Sequence, residues 1–224
     1  MFRMVSITAF LVVFGGICVH CIASAMAKGY RWRPIDILKT LVHLFTLFFL
    51  EQKLNLVGVL RRLIYLLALL CFVVLLITGF YPVLVYGEHL SGFLLMLHAT
   101  FAPVFAACLA VLAVFWADNC RFDKNYWPWL QRVLGREAVN KAGVKKYEPR
   151  PSDGLGELLR KICFWLIILL ALPVILSVVL SMFPFFGTDG QEFLLNLHRY
   201  SALLLALAAI VHTYLVIRTQ IEQH

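Results

Sequence analysis

The amino-acid sequence predicts an all-α integral membrane protein with five transmembrane helices. Of its 224 residues, 62% are hydrophobic and only 14% are charged, whereas a soluble domain averages roughly 45–50% and 25%. The hydrophobic residues form long blocks, and a block of about 20 residues is long enough to span the hydrocarbon layer. Short alternating segments, which are typical of a membrane β-barrel, do not occur. A single helical domain over residues 1–224 is therefore expected.

Five blocks are long enough to span a bilayer, at residues 4–27, 60–86, 91–117, 162–185 and 191–217. Gly87 and Gly187, with Pro82 and Pro184 nearby, predict tight turns that close two helical hairpins. Residues 35–53 are charged around a short apolar run and predict an amphipathic helix in the membrane interface. The first block is longer than the apolar part of a usual signal peptide, so it is expected to remain as a membrane helix.

The two hairpins form an internal repeat. Residues 60–63 (Leu-Arg-Arg-Leu) open the first hairpin and residues 159–162 (Leu-Arg-Lys-Ile) open the second. Residues 93–98 (Phe-Leu-Leu-Met-Leu-His) recur as residues 193–198 (Phe-Leu-Leu-Asn-Leu-His). The sequence therefore predicts two similar hairpins packed as a pseudo-symmetric four-helix unit. The N-terminal helix and the interfacial helix are added to this unit.

The positive charges predict the orientation. Of the 20 Lys and Arg residues, 18 lie in residues 28–62, in residues 121–161 or after the fifth block. Since basic loops face the cytoplasm, this side is predicted to be cytoplasmic, with loop 118–161 on it. The N-terminus is then periplasmic, the C-terminus is cytoplasmic, and the protein lies in the inner membrane. The net charge of +8 thus indicates orientation rather than nucleic-acid binding.

Four histidines lie inside predicted spans: His20, His98, His198 and His212. An ionisable residue in a membrane helix is costly and therefore marks a functional candidate. Neutral imidazole is an axial ligand of haem. No Cys-x-x-Cys-His motif occurs, so covalently attached haem is not expected. The alternative is that these histidines only form hydrogen bonds between helices.

The spacing of the histidines predicts two haem sites. His198 and His212 are 14 residues apart, which places them within roughly 40° of one helix face and about 21 Å apart along the axis. His98 and His198 each lie seven residues after the start of their blocks. They are predicted to ligate an outer haem.

The inner haem has one strong candidate ligand and two competing ones. His20 matches His212 in depth and is the favoured partner. His43, in the interfacial segment, could take its place, or could line a quinone pocket with Asp36. A protein with a single haem is also possible. Arg199 adjoins His198 and is predicted to pair with a haem propionate, although its side chain could instead extend to the membrane surface.

At this level the chain resembles the cytochrome b subunits related to the gamma subunit of respiratory nitrate reductase. It looks most similar to the small cytochrome b-like subunits of sulfate-reducer redox complexes of the Hmc, Tmc and Dsr type. The resemblance is carried by the five spans and by residues 51–54 (Glu-Gln-Lys-Leu), residues 77–80 (Ile-Thr-Gly-Phe), His98, His198 and His212. One departure is residues 63–66 (Leu-Ile-Tyr-Leu), where related subunits often place a haem histidine.

The resemblance implies an electron-transfer subunit of an oxidoreductase complex that holds haem b. Its partners would be a periplasmic multihaem cytochrome c or a quinone such as menaquinone, a cytoplasmic iron–sulfur protein and a further membrane subunit. One alternative is a quinone-reactive gamma subunit of the formate dehydrogenase or hydrogenase type. Another is a haem-free membrane anchor. No catalytic residue is predicted, because the sequence has no nucleophile–base set, phosphate-binding loop or zinc motif.

Overall fold

A computed structural model describes residues 1–28, 56–118, 120–121 and 154–223, and no strand occurs within these ranges. They form five long helices: α1 (Phe2–Lys28), α2 (Leu56–Tyr81), α3 (Gly92–Ala117), α4 (Gly154–Ser181) and α5 (Gly187–Gln223). Each helix is long and apolar enough to cross a membrane. The predicted fold class is therefore confirmed. His43 and the predicted interfacial helix lie outside the described residues.

The second hairpin differs from the prediction in its boundaries. α4 begins at Gly154 and ends at Ser181, whereas the sequence predicted residues 162–185. The predicted loop 118–161 is therefore helical from Gly154 onwards. Phe183 is extended, with φ −103° and ψ 129°, because the α conformation is disfavoured before a proline. A short 3₁₀ turn, Pro184–Phe186, then leads into α5, which begins four residues earlier than predicted.

The turn of the first hairpin is tight because of one glycine. α2 continues through a π-helical turn, Pro82–Tyr86, which ends at Gly87. Gly87 has a φ of 73°, in the left-handed region that glycine adopts without the steric cost of a Cβ atom. Its N–H donates to the carbonyl of Val83 at 3.2 Å. We call this end of the bundle, which also holds the turn at Pro184, the hairpin end, and the opposite end the basic end.

The helices pack as two pairs, and α1 lies against one of them. α2 packs along α3, α4 packs along α5, and α1 lies against α5. α5 has the largest buried share among the five spans, and its buried residues are Leu194, Ser201, Leu203, Leu205, Ala206, Ala208 and Leu215. On the other helices most large apolar side chains face outwards, as expected where lipid is the surrounding solvent.

Aromatic rings join three helices towards the basic end. The ring centres of Tyr65 on α2 and Trp116 on α3 are 5.4 Å apart, and those of Trp116 and Phe164 on α4 are 6.4 Å apart. Arg61 lies over the ring of Phe115, 5.5 Å from its centre, a cation–π contact. The Trp116–Phe164 contact connects the two helix pairs towards the basic end.

Candidate functional site

His98 and His198 face each other between the two helix pairs. His98 lies on α3 and His198 on α5, and their ring centres are 6.4 Å apart with an angle of 78° between the ring planes. Both side chains are half-buried. The structure thus brings together the two histidines that the sequence repeat relates.

The hydrogen bonds of Thr78 favour one tautomer of His98. Thr78 is buried on α2, and its hydroxyl donates to the carbonyl of Val74 at 2.8 Å. The same oxygen lies 2.9 Å from Nδ1 of His98. A hydroxyl has one proton to donate, so Thr78 accepts from Nδ1–H. The lone pair of the neutral ring is then on Nε2.

Ser177 makes the equivalent contact in the second hairpin. It is buried on α4, and its hydroxyl donates to the carbonyl of Val174 at 2.9 Å. Its oxygen lies 3.3 Å from Nδ1 of His198, and Nδ1 is also 3.2 Å from the carbonyl of Val174. A carbonyl only accepts hydrogen bonds. His198 therefore carries its proton on Nδ1, and its lone pair is also on Nε2.

Sequence reasoning did not identify Thr78 and Ser177 as functional residues. A signal was present, because the two hydroxyls are 99 residues apart, the same offset that relates the starts of the two hairpins. Apolar periodicity gave no reason to single them out. A repeat alignment extended to polar residues would have paired them.

Gly79 allows His98 to pack closely against α2. A Cβ atom at this position would lie 3.2 Å from Cε1 of His98, which is tighter than ordinary van der Waals contact. Glycine therefore keeps the α2 backbone close to the imidazole ring.

The donor set of this pair fits a haem. Their ring centres are close enough for both imidazoles to bind one metal ion, given metal–nitrogen bonds of about 2 Å. A hydrogen bond at one ring nitrogen is the usual way in which a protein prepares the other for a metal. Within the described ranges, no group of three or more His, Cys, Asp or Glu residues could hold an ion. Two isolated imidazoles suit a macrocycle that supplies the remaining ligands itself.

Arg199 lies in a cleft at the hairpin end. Its Nη2 donates to Nδ1 of His89 at 2.6 Å. The cleft has a volume of about 450 Å³, and its lining includes Arg3, Glu88, His89, Arg199 and Tyr200. Two guanidinium groups therefore lie at this end of the bundle, one of them on the residue next to His198.

His212 lies towards the basic end on the same side of α5 as His198. Its Nδ1–H donates to the carbonyl of Arg160 on α4 at 3.2 Å, so this ring also has its lone pair on Nε2. Both α5 histidines therefore bond to α4, as their spacing predicts.

The structure does not bring His20 beside His212. The Nδ1 atom of His20 lies 2.6 Å from the hydroxyl of Tyr214, and Arg218 donates to its Nε2 at 2.8 Å. Tyr214 is two residues after His212, about 200° around the helix, so His20 packs on the opposite side of α5. The sequence matched the two histidines by depth, which gives the position along the axis and not the side of the helix.

One comparison with known proteins found a match. A model of the family described as prokaryotic cytochrome b561 matches residues 58–224, well over half of the chain. The matched region contains His98, His198 and His212, and excludes α1 with His20. No curated protein and no solved structure matches the chain.

Proposed function

Because the chain belongs to the prokaryotic cytochrome b561 family, whose members are multi-pass membrane proteins that bind haem b and transfer electrons, we propose that it carries electrons across the bilayer through two haems b. The observation that carries this proposal is the His98–His198 pair. The two rings lie 6.4 Å apart, and each has Nδ1 engaged by a neighbouring helix.

The outer haem would be held by His98 and His198. When bound, the haem supplies a one-electron carrier; the protein holds the two imidazoles in the tautomer that can ligate iron. Arg199, in the cleft beside this pair, is proposed to bind a propionate. In the structure its hydrogen-bond partner is His89. A propionate carboxylate would take the place of His89 and form a stronger, charge-assisted hydrogen bond with Arg199.

The inner haem would be held by His212 and one further histidine. Both nitrogens of His20 already have hydrogen-bond partners, and His20 lies across α5 from His212. These contacts favour His43 over His20 as the fourth ligand. The two haems would then lie about 21 Å apart along the axis, the rise over 14 helical residues. A single-haem protein, with the outer site alone, is the simpler alternative.

The proposed orientation follows from the charges. Of the nine Lys and Arg residues that the structure describes, seven lie towards the basic end, so we propose that this end faces the cytoplasm. The hairpin end would then face the periplasm in the inner membrane. Electrons would pass between a periplasmic cytochrome c or the quinone pool and a cytoplasmic iron–sulfur subunit. The resemblance to the sulfate-reducer complexes of the Hmc, Tmc and Dsr type supports these partners.

A second candidate is a quinone-reactive gamma subunit of the formate dehydrogenase or hydrogenase type. The cleft at the hairpin end favours it, because its volume of about 450 Å³ is within the range of small-molecule sites. The two candidates are separated by adding a menaquinol analogue to the purified chain and measuring haem reduction. A quinone-reactive subunit oxidises the quinol and its haem becomes reduced. An electron conduit between protein partners gives no haem reduction with quinol alone.

The haem content of the purified chain tests the main proposal. We expect a b-type band in the reduced-minus-oxidised spectrum and two haems per chain. His98→Ala and His198→Ala should each leave one haem, because either change removes a ligand of the same iron. Thr100→Val on α3, whose hydroxyl bonds only within its own helix, is the control and should keep both. Absence of the b-type band would refute the proposal, and unequal haem counts in the two histidine variants would break their pairing.

A further inference from the structure

Thr78 and Ser177 lie next to the proposed ligands of the outer haem without being ligands themselves. Thr78 is 2% exposed and Ser177 is 1% exposed, although both carry a hydroxyl in a largely apolar bundle. We propose that they are positioning residues that fix His98 and His198 in the tautomer with a free Nε2, and that His98 depends on its hydroxyl more strongly than His198 does. This inference rests on the proposed haem function and assigns a role within it.

A count of protons shows why the hydroxyls accept rather than donate. Each hydroxyl gives its one proton to a carbonyl of its own helix, at 2.8 Å for Thr78 and 2.9 Å for Ser177. The oxygen lone pairs then remain for the imidazole Nδ1–H. The opposite tautomer would direct an N–H at the iron, and the hydroxyl could donate to Nδ1 only by giving up its hydrogen bond to the helix carbonyl.

The two contacts are not equivalent. Among the described residues, the hydroxyl of Thr78 is the one hydrogen-bond acceptor for Nδ1 of His98, at 2.9 Å. His198 has two acceptors, the hydroxyl of Ser177 at 3.3 Å and the carbonyl of Val174 at 3.2 Å. Loss of the Thr78 hydroxyl therefore leaves a half-buried N–H without a partner. Loss of the Ser177 hydroxyl leaves the Val174 carbonyl in place.

The same bonds affect the redox potential. A hydrogen bond from Nδ1–H to an acceptor makes the ligand nitrogen more basic, which favours oxidised iron. Removal of the acceptor should therefore raise the midpoint potential of the outer haem. A purely structural role in helix packing would lower stability but would not shift the potential in this direction.

The experiment compares Thr78→Val with Ser177→Ala in the full chain. We expect Thr78→Val to lower the haem affinity of the outer site by roughly 10–100-fold, the usual effect of losing an outer-shell partner. Ser177→Ala should lower it less than tenfold. Thr78→Ser keeps the hydroxyl and should restore the affinity. The matched controls are Thr100→Val and Ser181→Ala, whose hydroxyls bond to their own helices at 2.8 Å and 2.7 Å.

Two further readouts test the tautomer itself. In haem-free protein, nitrogen NMR of labelled histidine should show His98 moving from the Nδ1–H form towards the Nε2–H form in Thr78→Val. In haem-loaded protein, the midpoint potential of the outer haem should rise. The rise is about 59 mV for each factor of ten by which the variant loses more affinity for oxidised haem than for reduced haem. If Thr78→Val does not fold, Thr78→Ala provides the same measurements with a smaller side chain.

The outcomes distinguish failure of the positioning role from failure of the proposed haem function. If the unaltered chain binds no haem b, the proposed function fails. If it binds the outer haem and Thr78→Val keeps the affinity, the potential and the tautomer, the positioning role is wrong. Equal effects of Thr78→Val and Ser177→Ala would refute the asymmetry.

Discussion

The two ends of the bundle use histidine in different ways. Towards the hairpin end, His98 and His198 come from helices that correspond in the sequence repeat, and their ring centres are 6.4 Å apart. Towards the basic end, His212 bonds to α4, whereas His20 bonds to Tyr214 and Arg218 on the other side of α5. His98 and His198 occupy equivalent positions in the sequence repeat, and the structure brings them together. α1 and its His20 lie outside the repeat.

The surroundings of the two regions differ as well. Small residues adjoin the outer pair: Thr78, Gly79 and Ser177. At the basic end, the rings of Tyr65, Trp116 and Phe164 pack between the helix pairs. Small residues therefore adjoin the His98–His198 pair, whereas large aromatic rings fill the space towards the basic end.

The largest expected effect comes from the ligands of the inner site. We expect His212→Ala and His43→Ala each to remove one haem and leave the outer one, because they share an iron in the proposed arrangement. His20→Ala is the matched comparison and should keep both haems. Haem per chain, from absorption of the extracted haem, is the measurement. If His20→Ala loses a haem and His43→Ala keeps both, the inner site lies on α1. The two ends of the bundle would then both use histidine to bind haem.

A smaller effect is expected from Gly79→Ala. The added Cβ atom would lie 3.2 Å from Cε1 of His98, so the ring or α2 must shift. Overpacking of this kind costs at least about 1 kcal/mol, roughly a fivefold loss of outer-haem affinity. Gly15→Ala on α1 is the control, since nothing lies within 4 Å of a Cβ atom there. Equal haem titrations for the two variants would show that close packing at Gly79 is unimportant.

The smallest effect is expected from Arg199→Gln. A positive charge near a haem favours the reduced state, so its removal should lower the outer midpoint potential. Since the site is partly exposed, we expect a shift below about 59 mV, less than tenfold in the redox equilibrium. Redox titration with optical detection measures it, and Arg218→Gln at the basic end should leave the outer potential unchanged. An unchanged outer potential in Arg199→Gln would argue against a propionate partner.

The sequence alone predicted the five helices, and it paired two histidines that the structure brings close together. Apolar blocks long enough to span a bilayer predicted all five helices, since backbone groups in lipid must be satisfied within each segment. The repeat paired His98 with His198, and a 14-residue spacing placed His198 and His212 on one face. Each of these predictions concerns one helix, or two equivalent ones, so the fixed rise and rotation per residue were sufficient.

Only the tertiary structure decided which side chains meet across different helices. It placed His20 against Tyr214 rather than His212, and it brought the hydroxyls of Thr78 and Ser177 to the two imidazoles. It also ended α4 at Ser181. The rotation of one helix relative to another is set by how their side chains pack, and the spacing of residues along a single helix carries no information about it.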